Sequence, residues 1–92
     1  MAPDATTLRL PERLTHQEAA ACLADMQARA AGQGPVVVDA GALRDFDSAA
    51  LSTLLALRRW AQAQGRALQL RQLPPRLAEL VSLYGVGELL AA

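Results

Sequence analysis

Ninety-two residues amount to one domain, 1–92, that buries roughly 60–65% of its unfolded surface, so the core is small. An apolar share of 52% argues against disorder, and nine Arg without a Lys balance nine acids to a formal charge of zero. Neutrality removes the general attraction to nucleic acid or an anionic membrane that a basic domain would have, and it leaves self-association, hence a homodimer, open.

Phe46, Trp60 and Tyr84 are the three aromatic residues, which leaves Leu, Val and Ala to build the core. Cys22 is the one cysteine and cannot close an internal disulfide. Met1–Ala5 has neither a basic region nor an apolar core, and no apolar run approaches the ~20 residues that span a bilayer. A small protein of a reducing cytosol is expected.

Thr6–Leu10 alternates and opens on β-branched residues, which predicts a short strand closed by Pro11. Thr15-His-Gln-Glu18 has the form of a capping box, in which the Thr hydroxyl accepts from the Glu18 N–H and the Glu side chain reaches back. The helix it opens runs to about Ala30, with Ala19, Cys22, Leu23, Met26 and Ala30 on one stripe. Gly32 or Gly34 then ends it in the left-handed conformation.

Pro35–Ala40 is the clearest strand. Its three successive Val fit an interior strand covered on both faces. A polar loop leads to a second helix from about Ser48 to Gln64, with Leu51, Leu54, Leu55, Leu57 and Ala61 on a broad apolar face and Gly65 just past its end. Arg66–Leu73 alternates as a third strand, stopped by Pro74-Pro75, and a third helix runs from Arg76 to Leu83. Tyr84-Gly-Val-Gly87 breaks that helix, and Glu88–Leu90 forms a short terminal element. Strands alternating with helices predict an α/β domain with a mostly parallel central sheet.

Enzyme chemistry finds little footing here. One His and one Cys, with no CxxC or HxxH, cannot build a zinc site, and no cofactor motif is present. Gly85-Val-Gly87 is a lone GxG that follows no strand. His16 reads as solvated and Cys22 as a small hydrophobe without an activating base. Asp45 and Asp47 lie beside a helix N-terminus, which lowers a carboxylate's pKa and suits a cap or a partner contact better than a proton donor. Arg58, Arg59 and the single Trp60 read as an interface patch on the outer part of the second helix.

The working stretch is Asp39–Leu55. A strand ends, a short acidic loop follows, and a helix starts on a hydroxyl, so unpaired N–H donors and a partial positive charge face outward. Ser48 there is either a cap or a hydroxyl offered to a partner or to phosphorylation, and Ala49-Ala50 lets a partner come close to the backbone.

Residues 36–51, Val-Val-Val-Asp-Ala-Gly-Ala-Leu-Arg-Asp-Phe-Asp-Ser-Ala-Ala-Leu, resemble the signature of STAS domains, the sulfate-transporter and anti-sigma-factor-antagonist fold, in which a buried strand leads by a loop to D-[ST]-[STG]-G-L at a helix start. The resemblance covers nearly the whole chain. It implies a small STAS-like domain with a mostly parallel sheet and helices packed mainly on one face. Ala49 stands where antagonists carry the phosphorylated hydroxyl, and Ala50 replaces the family's Gly. A single hydroxyl after the Asp, together with Leu77–Val86, looks more like the lipid-asymmetry (MlaB-type) branch.

That branch implies a non-enzymatic cytoplasmic subunit that binds the ATPase of a phospholipid ABC transporter and reaches the inner membrane through its partners, without inserting itself. The carried-over contact is Asp47 and Ser48 at the helix start, continued by Leu51, Ser52 and Leu55; Ala49, which leaves the backbone approachable, and Arg59 of the patch complete the expected partner-binding set. The alternative is an anti-sigma-factor antagonist whose Ser48 is phosphorylated by a partner serine kinase, itself the anti-sigma factor.

Overall fold

The structure is a computed structural model that describes residues 6–83. Its elements run β1 (Thr6–Arg9), β2 (Arg13–Leu14), α1 (Ala19–Arg29), β3 (Val36–Asp39), β4 (Asp45–Phe46), α2 (Ser48–Ala63), β5 (Leu68–Arg71) and α3 (Pro75–Leu83). The strands β1-β3-β5, in that order, form a parallel sheet with β3 in the middle, where the Val run belongs. Tyr84–Gly87 and the terminal element lie outside the described residues.

Alternation sorts the sheet into two faces. Leu8, Val36, Val38 and Leu68 join one buried cluster with Met26 of α1 and Ala30 at its C-cap, Leu51, Leu54, Leu57 and Ala61 of α2, and Leu77 and Val81 of α3. All three described helices therefore share one face of the sheet, with α2 in contact with both α1 and α3. Val37 points the other way, and it too is buried.

α2 stops as its sequence predicts. Gly65 takes φ 69, its N–H donates to Gln62 O (2.9 Å), and the Arg66 N–H donates to Ala61 O (2.9 Å). These paired bonds close the helix end in a Schellman motif. A Cβ at position 65 would meet open space, so the penalty for a side chain there is purely backbone. Gly65→Ala is expected to cost about 1 kcal/mol, read as a fall in midpoint of about 5 °C on thermal denaturation.

The capping box closes differently from the expected pattern. Glu18 Oε1 accepts both from the Thr15 N–H (2.9 Å) and from the Thr15 hydroxyl (2.7 Å), so the hydroxyl donates to the carboxylate; its own oxygen takes the Gln17 N–H (3.3 Å). Residues 16–18 form a turn, and regular helix begins at Ala19. Two short segments read as loop are instead strands: β2 and β4 pair in parallel, setting Arg13 opposite Asp45 and Leu14 opposite Phe46. Leu14 is fully buried and anchors the pair, while Arg13 Nη1 meets Asp45 Oδ2 at 3.2 Å. β5 is shorter than predicted because Arg66 turns inward before it and Gln72 takes φ 56 after it.

Candidate functional site

β4 delivers the chain straight to the N-terminus of α2. Asp47 has extended backbone (φ −125, ψ −166) and caps the helix, its Oδ1 accepting from the Ala49 N–H at 2.8 Å. Its Oδ2 lies 3.3 Å from both the backbone N and the ring Nδ1 of His16. The capping role thus falls to Asp47, and Ser48, the first helical residue, stands exposed with its hydroxyl released from that task. His16 is exposed as expected, but it also steadies the cap, a contact spanning 31 residues that no local pattern announces.

Along α2 the residues of the expected contact divide. Ser48, Ser52, Leu55 and Arg59 follow one another at spacings of four, three and four, which places them on one stripe. Ser48, Ser52 and Arg59 are exposed, and Leu55 is half-buried at the edge of the core. At ~1.5 Å per residue the stripe extends about 16 Å from a carboxylate end to a guanidinium end. Ala49 is half-buried beside it. Leu51 is only 5% exposed and belongs to the core cluster, so it supports the stripe from beneath and offers a visitor almost no surface.

Trp60 also has contacts within the molecule. It is half-buried, packs against the core, and lies 5.7 Å from the Arg66 guanidinium. Arg58 is occupied by Gln62 on its own helix (2.8 Å). Of the three, Arg59 is the fully exposed one.

Cys22 is half-buried, and burial, with Asp25 nearby, pushes its thiol up and away from the reactive thiolate. Among the described residues no group of His, Cys, Asp or Glu is arranged to hold a metal ion. None of the described helices is long and apolar enough to cross a membrane.

Two carboxyls at the helix starts are held below their ordinary range. For Glu18 the main cause is the Thr15 N–H, with the Thr15 hydroxyl and Arg13 adding to it. For Asp47 it is the Ala49 N–H, with His16 adding and desolvation opposing. A carboxyl with a depressed folded-state pKa contributes stability that is fully present above its unfolded value and is lost as pH falls through the folded one. Stability is therefore expected to be flat near neutrality and to decline from about pH 4 downward. Asp47→Asn, which keeps a capping oxygen, should flatten part of that decline in denaturant titrations run from pH 7 to pH 2.

The family model described as "Mlab, STAS domain" matches residues 1–91. The chain belongs to the MlaB-type STAS family. Among curated proteins, none matches it significantly. STAS domains are in general interaction modules without catalytic activity, in keeping with a site made of a cap, a hydroxyl and a helix face.

Proposed function

We propose that this STAS domain is a non-enzymatic cytoplasmic subunit that binds and supports the ATPase of an ABC transporter for phospholipid trafficking, and that it is held at the inner membrane by that complex. Membership of the MlaB-type family supports the reading. The single observation that carries it is the exposed start of α2, where Asp47 does the capping and Ser48 leads a stripe of Ser52, Leu55 and Arg59. The stripe combines an acidic end, a small polar middle that lets a partner's backbone approach, an apolar contact and a terminal Arg. Such a surface suits a protein partner better than a small molecule.

Coexpression with the transporter ATPase is the test. A stoichiometric complex that survives gel filtration is expected. Absence of any complex, combined with stoichiometric phosphate on Ser48 from a serine kinase that binds the domain, would overturn the proposal in favour of an anti-sigma-factor antagonist.

A further inference from the structure

The face of the sheet turned away from the three described helices ends in a row of charge. Register sets Arg9 beside Asp39 and Asp39 beside Arg71. The alternation that turns Leu8, Val38 and Leu70 toward the helices turns these three the other way. Among the described residues neither guanidinium pairs with Asp39; the ion pairs found are Arg13 with Glu18 and Asp45, Arg29 with Asp25, and His16 with Asp47. Beyond the strand ends a crevice of about 290 Å³ is lined by Arg9, Asp39, Gly41, Ala42 and Gln72. It lies outside the carboxyl ends of parallel strands, where open α/β sheets receive their ligands.

The lining has two kinds of polar group. Arg9 offers the planar fork that matches a carboxylate or phosphate. Asp39 and Gln72 offer oxygens that converge on one spot: a Cβ at Gly41 would lie 3.0 Å from Asp39 Oδ1 and 2.9 Å from Gln72 Oε1. Asp39 Oδ1 accepts from the Gly41 N–H at 2.8 Å, which leaves Oδ2 for another donor. The bare Cα of Gly41 leaves the floor between these oxygens open. A simple anion would meet the Asp39 charge as well as Arg9, whereas an anion with an adjacent hydroxyl satisfies both.

We infer that this crevice binds a small oxyanion, a phosphate or carboxylate, carrying a hydroxyl beside its charge. The anion sits on Arg9 and the hydroxyl donates to Asp39 or Gln72. The inference does not depend on the α2 surface or its partner.

Amide NMR spectra of the full chain, titrated separately with glycerol 3-phosphate, lactate and inorganic phosphate, test it. Saturable shifts at Gly41, Ala42 and Gln72 are expected for at least one hydroxylated anion at or below about 10 mM. Whichever of the two binds identifies the charged group as phosphate or carboxylate. Arg9→Gln should weaken that binding at least tenfold, and Gln72→Ala should narrow the preference over inorganic phosphate, with the remaining spectrum unchanged. Three results would each overturn the inference: no saturable shift, inorganic phosphate bound as tightly as the hydroxylated anions, or shifts centred on Ser48–Ala50 at the α2 start.

Discussion

Arg66→Ala is expected to destabilise the domain by about 2–4 kcal/mol, a large share of what a chain of this size possesses. Arg66 is only 6% exposed, and among the described residues it pairs with no carboxylate. Its Nε donates to Gly34 O at 2.7 Å, its Nη1 donates to Ala30 O, and its guanidinium lies over the Trp60 ring. Ala30 is the C-cap of α1, so the cation is placed against the negative end of that helix. One side chain thus ties together the end of α1, the turn before β3, and α2.

Replacing a buried charge by a hydrophobe is often nearly neutral, because the desolvation cost disappears with the charge. Here the partners are backbone carbonyls, which no substitution at position 66 removes, so the buried Ala30 carbonyl and the half-buried Gly34 carbonyl would both lose their partner. Met should recover the packing but not those bonds. Lys can reach one carbonyl but cannot span both. The expected order of loss is Ala first, then Met and Lys, read by urea denaturation with the single Trp60 as the fluorophore. An Ala variant within about 0.5 kcal/mol of the parent would show that the guanidinium does not hold these ends.

Legibility in the sequence followed the range of each interaction. The Val36–Val38 run, the Gly65 stop and the Pro75 start are local devices, and each element they punctuate is where the residues place it. The Asp47 cap and the Ser48 position were readable for the same reason. What escaped depends on partners far along the chain. Arg66 finds Ala30 36 residues away, His16 finds Asp47 31 away, and Arg13 finds Asp45 32 away. Two-residue strands such as β2 and β4 are too short to carry a period. Leu51 and Leu55 share a helical repeat, and only packing separates the buried one from the one at the rim. A lone Trp on a helix already rich in Leu suggests an interface, whereas its contact with Arg66, a residue the alternation places in a strand, is visible only in the fold.

Ser48→Arg is expected to abolish docking of the proposed ATPase partner while leaving the fold intact. Ser48 is exposed and the cap is provided by Asp47, so a longer side chain at the first helical position meets solvent. Its charge at the positive end of α2 should cost no more than about 1 kcal/mol of stability. In a complex the same guanidinium would intrude where a partner comes close to Ala49 and Ser52, and the affinity loss should be ~100-fold or more. Leu51→Ala supplies the contrast. That side chain is core, so the variant should lose ~2–4 kcal/mol of stability yet bind normally in the fraction that remains folded. Titration calorimetry paired with thermal melts separates the two behaviours. If Ser48→Arg binds like the parent, or if Leu51→Ala loses binding while still folded, the stripe along Ser48, Ser52, Leu55 and Arg59 is not where the partner sits.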